Sequence, residues 1–559
     1  MNTVIDILVE RAGTDHDQLA TIAKRRGRWL STTVAELVER VSATAVGLVD
    51  VGVRAGDHVA VILANVPDWL VVDLAVQSIG ATSVAVPDDI DHVAMAALLA
   101  GIDISWFVVN DPTDAARVQD HATDAAQHHT ARFVCRGADV DGVTGLDTVI
   151  RTGREHLEAA PDAFRELLAA RPAGAAVAAT LTAGSGDRER AILHSSEGLV
   201  VQARRVVTKF DLGPSDVTVA VKHPSDPFER AVTIYPCVVS GAVLAYPENP
   251  STIGQSILEV RPTFLHVPVD RVRAASATIH GRFSRNSGFK GLVAKLWNRM
   301  AFEPIRRGDS ASGVALRVVG RPAQKSLGWE NLRSLLVTGS RVPLDVLATM
   351  QALGVPVRGG YATVETGLIA AGVPRTSAGL ELLDGINATI EGDRLSITGD
   401  GLETGGFTGD LGRVDGGAVV VRGPERSMVE RSDGSKVLAA EVEATLRDSP
   451  YIALAAVRRG ELGLRADIEV DFDSVSDWAA ERKLHFTTFS SLVANEAVRA
   501  LIADEVARLA TDVAHHNLLM SPFQQGQSIT RTRSIHQRGR DGDDVSSTSP
   551  TEHESASID

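Results

Sequence analysis

Cysteine is almost absent from this 559-residue chain, which contains only Cys135 and Cys237. Two cysteines so far apart in sequence provide neither a disulfide framework nor a cysteine-rich metal site, and they fit a reducing compartment. The first residues, Met1 to Asp6, lack the basic segment and apolar core of a secretory signal. We therefore expect a cytoplasmic protein.

Long apolar runs and net positive charge are also missing. No stretch of about twenty uninterrupted apolar residues occurs, so no transmembrane helix is expected. The chain contains 56 Lys and Arg residues and 71 Asp and Glu residues, which gives a net charge of −15. Such a chain is not expected to bind nucleic acid or anionic membranes non-specifically, although local basic clusters can still bind anions. The basic amphipathic stretch 271–307 favours a solvated helix pair, with peripheral membrane contact as the alternative.

The chain does have size and a mixed α/β pattern. With 44% apolar residues it can bury a large core, but it is too long for one core, so we expect two or three domains. Apolar residues at three- and four-residue spacings predict a helix over Thr32 to Leu48. A buried strand over His58 to Leu63, a helix from Pro67 to Val76 and a strand over Gly80 to Val86 predict a βαβ unit in a parallel sheet.

A glycine and hydroxyl turn between two apolar segments is the first candidate site. The run Ala173 to Leu181 leads into the turn that begins at Thr182, and Ile192-Leu193 leaves it. Glycines let the backbone approach an anion, and hydroxyl and amide groups donate to its oxygens. The spacing does not fit G-x-x-x-x-G-K-[S/T], and a surface hairpin with mixed charges is the plainer interpretation.

The ten residues 182–191 resemble the T-S-G-T-T-G-x-P-K-G signature of the adenylate-forming, AMP-dependent synthetases and ligases. Thr182, Gly184 and Ser185 agree with it in residue type. The resemblance implies that these three residues hold phosphate. It also implies that Arg190, at the position of the signature's lysine, steadies the β- and γ-phosphates of ATP.

A second stretch, Tyr361 to Thr366, preceded by Gly359-Gly360, resembles the G-Y-G-x-T-E-T element of the same family. The resemblance implies that Gly360, Tyr361 and Thr366 form part of the nucleotide site, with the Tyr361 ring stacked on adenine, and that Glu365 helps to hold Mg²⁺. A carboxylate beside a triphosphate needs a bridging hard cation, because like charges otherwise repel. The alternative is a tyrosine packed in a turn with an exposed glutamate.

Thr408-Gly409-Asp410 matches the family's T-G-D element. The resemblance implies that Asp410 accepts hydrogen bonds from both ribose hydroxyls, which suits a carboxylate with two oxygens facing a diol. The motif is short, and an aspartate that closes a tight turn is the alternative interpretation.

Further similarity points to the long-chain fatty acyl-CoA ligases. It lies in the segment ILANVPDWLVVDLAVQSIGATSVAV, in Phe228-Glu229-Arg230 and in Arg261-Pro262-Thr263. This resemblance implies an α/β fold with a large N-terminal AMP-binding domain of stacked sheets and helices, residues 1–422, and a small mobile α+β lid domain, 423–537. The remaining residues, 538–559, are charged, rich in Ser and Thr and without apolar periodicity, which predicts a disordered acidic tail.

Several family positions are altered. Asp187 stands where the signature has a glycine, Val364 where a threonine contacts phosphate, and Pro424 where an arginine reaches ribose. A valine cannot donate the hydrogen bond of a threonine. Asp187 and Glu189 also cancel positive charge in the loop, which should weaken triphosphate binding.

The lysine that family ligases carry near the end of the C-terminal domain is also missing, because no lysine follows Lys483. Arg533 falls nearest to its position, and Arg531 is almost as good a match. An arginine keeps the charge but changes reach and geometry at a site that needs a point charge. For both arginines the alternative is a solvated basic stretch.

Three functions follow from the resemblance. The first is activation of a fatty acid by ATP and Mg²⁺ to an acyl-adenylate, then transfer to coenzyme A, impaired by the altered motifs. The second is a catalytically degenerate relative that binds acyl groups or nucleotides as a regulatory protein. The third is an enzyme that passes the acyl group to an acyl carrier protein.

Overall fold

The computed structural model describes residues 3–124, 132–140, 143–183, 189–284, 299, 320–373, 379–402, 406–431, 433–460 and 463–519. Its strands are, in chain order, β1 (Leu19–Arg25), β2 (Arg28–Thr33), β3 (His58–Ile62), β4 (Thr82–Ala85), β5 (Trp106–Val109), β6 (Arg132–Cys135), β7 (Thr144–Gly145), β8 (Ala176–Ala183), β9 (Glu189–Ser195), β10 (Val217–Val219), β11 (Val243–Tyr246), β12 (Phe264–Pro268), β13 (Ser334–Thr338), β14 (Val357–Thr363), β15 (Gly367–Gly372), β16 (Leu380–Glu381), β17 (Ile386–Glu391), β18 (Arg394–Gly399), β19 (Gly406–Asp415), β20 (Ala418–Pro424), β21 (Met428–Glu430), β22 (Lys436–Leu438), β23 (Ile452–Gly460), β24 (Gly463–Val470) and β25 (Val513–Leu518).

The helices are, in the same order, α1 (Val4–Thr14), α2 (Val34–Val51), α3 (Pro67–Ile79), α4 (His92–Gly101), α5 (Pro112–Asp124), α6 (Leu146–Ala159), α7 (Ala163–Ala169), α8 (Ser196–Phe210), α9 (Tyr235–Ser240), α10 (Ile253–Val260), α11 (Val269–Ser284), α12 (Arg321–Leu327), α13 (Leu344–Ala352), α14 (Ala439–Leu446), α15 (Phe472–Glu481), α16 (Phe489–Ala494) and α17 (Glu496–Leu509). A π-helical turn, Arg230–Ile234, precedes α9, and 3₁₀ turns span Pro250–Thr252 and Glu425–Ser427.

A seven-stranded sheet forms the centre of the first unit, in the order β7-β6-β5-β3-β4-β8-β9. Its pairs are parallel except for the antiparallel β8–β9 hairpin. The predicted βαβ unit is confirmed as β3–α3–β4, and α3 is buried along its whole length. The chain runs from β3 to β4 on one side and then to β5 on the other side of β3. Ligands of open α/β sheets bind at the carboxyl ends of strands beside such a reversal.

Three further sheets complete the first unit. The order β10-β11-β1-β2 and the order β12-β13-β14-β15 each combine three parallel strands with one antiparallel edge strand. The order β16-β20-β19-β18-β17 is antiparallel throughout. The helix α11 begins the basic stretch 271–307. Its apolar face packs into the core through Val272, Ala275 and Ile279.

Capping residues mark the beginnings of two helices in the first unit. The predicted helix over Thr32 to Leu48 begins at Val34, where the Thr33 side chain and Glu36 form a capping box. The helix α8 is capped by Ser195, whose hydroxyl accepts a hydrogen bond from the Gly198 amide. No helix in the described ranges is both long and apolar enough to cross a bilayer.

The chain divides into two compact units, the first spanning Met1–Arg426 and the second beginning at Ser427. Because β20 continues as far as Pro424, paired with Asp410 on β19, the residues just after 422 belong to the first unit. In the second unit, β23, β24 and β25 form a three-stranded sheet and β21 pairs with β22. Residues of α14, α15, α16 and α17 share one apolar core with this sheet.

Candidate functional site

The hairpin of β14 and β15 places two of the predicted nucleotide residues. Tyr361 lies on β14 opposite Ala370, and Glu365 lies in the turn that joins the strands. The turn ends at Gly367, where φ is +67° and a Cβ atom would lie 2.6 Å from the Gln202 side chain. Only glycine meets both conditions without strain. The turn thus holds Glu365 close to Tyr361.

Asp410 reaches this hairpin from β19, almost fifty positions further along the chain. The Tyr361 hydroxyl donates a 2.6 Å hydrogen bond to the Asp410 carboxylate. Burial raises the pKa of Asp410, and the nearby Glu365 carboxylate raises it further. Burial and then the Asp410 charge raise the pKa of Tyr361. The structure therefore brings Tyr361, Glu365 and Asp410 together.

An arginine that the motif comparison missed acts on the same carboxylate. Arg426 lies at the end of the first unit, two positions after Pro424, and its guanidinium opposes the rise in the pKa of Asp410. Sequence comparison treated the ribose-facing arginine as lost because Pro424 occupies its motif position. A cation is nevertheless present beside Asp410. The only signal in the sequence was an arginine displaced by two residues.

Small and hydroxylated residues surround the hairpin. A Cβ at Gly360 would lie about 3 Å from the side chains of Leu336, Leu368 and Thr338, so the β13–β14–β15 strands pack closely only with glycine there. The hydroxyls of Thr363 and Thr366 lie 2.8 Å apart. Thr363 thus supplies a hydroxyl next to Val364, which the motif comparison did not consider.

Other predicted residues are only partly described. Thr182 on β8 pairs through its backbone with Arg190 on β9, so the candidate phosphate loop closes an antiparallel hairpin. Gly184, Ser185 and Arg533 lie outside the described residues, as does the predicted tail. These assignments stay predictions.

A buried polar chain leads from the core toward the ends of β12 and β13. The His266 ring lies 3.3 Å from the Glu229 carboxylate and 2.8 Å from the Thr338 hydroxyl. The Lys222 ammonium donates to Thr338 at 3.2 Å and pairs with Asp226 at 3.3 Å. Burial raises the pKa of Glu229 to about 8, and burial followed by the Lys222 charge holds the pKa of His266 well below its usual value. Burial thus favours the uncharged forms of both Glu229 and His266.

Arg230, the neighbour of Glu229, belongs to a second buried network. Its guanidinium pairs with Asp73 at 2.7 Å and lies 4.9 Å from the centre of the Trp69 ring. It also donates to the backbone carbonyls of Ser83 and Ala179. The Phe228-Glu229-Arg230 motif thus joins α3 to β4 and β8, the strand that leads into the candidate phosphate loop.

His194 on β9 gives this region a dependence on pH. It is 4% exposed, and its Nδ1 atom has no hydrogen-bond partner in the described part of the chain. Burial, and then the Arg230 charge, lowers its pKa from 6.5 to about 4. As the pH falls, His194 takes up a proton in the unfolded chain at a higher pH than in the folded protein. The free energy of unfolding therefore has its full value above pH 6.5 and decreases as the pH falls toward 4, by up to about 3 kcal/mol.

Urea unfolding of the wild type and of His194→Gln between about pH 7 and about pH 4.5 measures this effect. We expect the free energy of unfolding to fall less steeply in the variant, because glutamine does not titrate. His16→Gln, at an exposed position, should keep the wild-type slope. Equal slopes for the wild type and His194→Gln contradict the assignment.

Comparison with known proteins places this geometry in a family. A family model described as AMP-binding enzyme matches residues 8–425, which include Tyr361, Glu365 and Asp410. The chain belongs to the AMP-binding enzyme family. The bonded pair Tyr361–Asp410 therefore lies within the range that matches this family, and β14 and β19 are the strands that position it.

Similar proteins within and around the family are adenylate-forming enzymes. The chain is 22% identical over 468 residues to a long-chain-fatty-acid–CoA ligase of Mycobacterium bovis, covering 77% of this chain and 76% of that one. Its fold is similar to that of the anthranilate CoA ligase AuaEII in complex with anthranoyl-AMP, with a TM-score of 0.69, 16% identity and coverage of 96% and 97%. The A-PCP didomain of a carboxylic acid reductase from Segniliparus rugosus, in complex with AMP, gives a TM-score of 0.67 at 14% identity, with coverage of 96% and 81%. The architecture is thus that of adenylate-forming enzymes, with a large N-terminal and a small C-terminal domain.

Proposed function

We propose that this protein activates a fatty acid with ATP to give an acyl-adenylate and pyrophosphate, and then transfers the acyl group to coenzyme A. The observation that carries the proposal is the hydrogen bond of Tyr361 to Asp410 with Glu365 alongside. This arrangement offers an aromatic ring for a base, a carboxylate for a diol and a second carboxylate for a metal.

The charges around the pair suit a nucleotide. Asp410 can accept two hydrogen bonds from a ribose, one at each oxygen, and the Arg426 guanidinium beside it favours the charged carboxylate. Binding a ribose would replace or share the hydrogen bond from Tyr361. The proposed nucleotide therefore enters a site whose polar atoms are already paired.

Mg²⁺ fits the residues present when it arrives with ATP. Among the described residues, no group of three or more His, Cys, Asp or Glu side chains could hold a metal ion alone. Mg²⁺ in such enzymes is held by one or two carboxylates together with substrate phosphates, and Glu365 would provide the carboxylate. The ion would neutralise phosphate charge, while Thr363 and Thr366 offer hydroxyls nearby.

A fatty acid is proposed as the acid because of the similarity to the mycobacterial ligase. Coenzyme A is proposed as the acceptor on the same ground. The likeness to a carboxylic acid reductase domain that precedes a carrier domain supports the alternative acceptor, an acyl carrier protein.

Pyrophosphate release from ATP and Mg²⁺, measured with a panel of fatty acids, tests the proposal. Release that depends on the acid shows adenylation, and product formation with coenzyme A but not with a holo-carrier protein identifies the acceptor. If no acid causes release while AMP or a fatty acid binds, the protein is a binding protein on this scaffold. That second function is favoured by Asp187 and Val364, which stand at positions where the family resemblance implies phosphate contacts. Pro424 favours it less, because Arg426 lies beside Asp410.

Restoring family residues should raise a weak activity. We expect the triple change Arg190→Lys, Val364→Thr and Arg533→Lys to increase the rate of acid-dependent pyrophosphate release by about ten-fold or more, since each charged or hydroxyl contact in a transition state contributes strongly. Arg508→Lys, which alters an exposed arginine paired with Glu505, is the control. A triple variant no faster than the wild type shows that these substitutions do not limit the rate.

A further inference from the structure

Three arginines from separate elements converge on one buried aspartate at the carboxyl ends of β3 and β6. Asp68, in the first turn of α3, is 7% exposed. Arg40 of α2 donates to its Oδ1 atom at 2.7 Å. Arg25 at the end of β1 and Arg136 just after β6 lie 3.8 Å and 3.5 Å from its Oδ2 atom. The motifs described above include none of these arginines.

The cluster carries more positive charge than Asp68 can balance. At ion-pair distance three guanidinium groups face one carboxylate, an excess of two positive charges within the cluster itself, in a chain whose net charge is −15. Arg25 and Arg136 approach the same oxygen from beyond hydrogen-bond distance, so the two approaching nitrogens lie within about 7 Å of each other. Two cations at this separation repel each other; the single Asp68 charge, shared with Arg40, offsets part of that repulsion, and a further anion beside them would offset more.

Within the described part of the chain, most N–H donors of Arg25 and Arg136 have no protein acceptor, and these two side chains are open to solvent. Each guanidinium offers five N–H donors, and among the described residues the side-chain contacts of Arg25 and Arg136 are those with Asp68. The Arg25 and Arg136 side chains are 58% and 38% exposed. Exposed Arg26 and Arg28 follow Arg25 in the β1–β2 hairpin. The Glu248 carboxylate, which accepts hydrogen bonds from the Arg26 and Gly27 amides, offsets part of their charge.

We propose that Arg25, Arg40 and Arg136 form a binding site for a phosphate monoester dianion. A tetrahedral phosphate has oxygens that can accept paired N–H donors from two guanidiniums at once. Its double charge matches the excess that Asp68 leaves. The site lies at the edge of the parallel sheet where ligands of such folds bind. The ligand is inorganic phosphate or the monoester of a soluble nucleotide.

Calorimetric titration of the full chain with inorganic phosphate, at constant ionic strength set with sodium chloride, tests the proposal. Arg25→Gln and Arg136→Gln should each raise the dissociation constant for phosphate by about ten-fold or more. The reason is that a hydrogen bond to a charged group contributes at least the free energy that corresponds to a ten-fold change in affinity. Arg151→Gln, on the exposed face of α6 and paired with Glu155, should bind phosphate as the wild type does. Titration with coenzyme A and with dephospho-coenzyme A then shows whether the phosphate monoester of a nucleotide is the ligand, because the two compounds differ by one such group.

Asp68→Asn separates binding from a purely structural ion cluster. It removes the carboxylate that competes with the ligand, so we expect tighter phosphate binding, and phosphate should raise the unfolding midpoint of this variant more than that of the wild type. If Arg25→Gln and Arg136→Gln bind phosphate as tightly as the wild type does, the phosphate occupies another site and the proposal is wrong. Absence of binding to the wild type overturns it as well. The deciding titration uses inorganic phosphate alone, without ATP, an acid or coenzyme A, so its failure would leave the proposed function untouched.

Discussion

Arg230→Met should lower the free energy of unfolding by about 3–5 kcal/mol, because it leaves the Asp73 carboxylate buried without its counter-charge. The Asp73 side chain is fully buried and that of Arg230 is 4% exposed. The substitution also removes the donors to the Ser83 and Ala179 carbonyls. The urea midpoint, followed by tryptophan fluorescence, measures the loss.

Two comparisons make this result specific. Arg394→Met removes an arginine that is 55% exposed and paired with Glu425, and should cost no more than about 1 kcal/mol. Adding Asp73→Leu to Arg230→Met should recover part of the loss, since the unpaired charge is then gone. A midpoint for Arg230→Met equal to that of Arg394→Met contradicts the importance assigned to the buried pair.

Asp410→Ala should weaken nucleotide binding by about a hundred-fold, which corresponds to two hydrogen bonds between a carboxylate and a ribose diol. The dissociation constant for AMP and the KM for ATP in pyrophosphate release both report the change. Tyr361→Phe keeps the ring and loses only the 2.6 Å bond to Asp410, so its effect should stay below about ten-fold. Tyr361→Ala, which also removes the ring, should cost more.

Asp415→Ala is the matched control, because Asp415 is an exposed aspartate on the same strand, β19. It should bind AMP as the wild type does. Equal affinities for Asp410→Ala and Asp415→Ala would show that the nucleotide does not use the Tyr361–Asp410 pair. A loss of binding without a change in the unfolding midpoint, by contrast, supports a direct contact with the nucleotide.

Local signals in the sequence were sufficient for much of the fold. The apolar spacing and the Thr33 cap predicted α2, and the alternation of strand and helix predicted the parallel β3–α3–β4 unit. These features depend on residues a few positions apart, where periodicity and capping act directly. The motifs likewise selected Tyr361, Glu365 and Asp410 from the sequence alone.

The tertiary structure alone decided which residues share a site. Arg426 lies beside Asp410 because β19 and β20 pair, not because of its place in a motif. The same holds for Arg25, Arg40 and Arg136, which are more than a hundred positions apart at the extremes and meet at Asp68.

Periodicity, capping and motif order are encoded in neighbouring residues, so the sequence by itself determined the family resemblance, the α/β class and the ends of several helices. The contacts between distant strands depend on how the sheets fold together. Only the structure could therefore show that Glu229 and Arg230, adjacent in the chain, belong to two separate buried networks, and that an acidic protein carries a local excess of positive charge around Asp68.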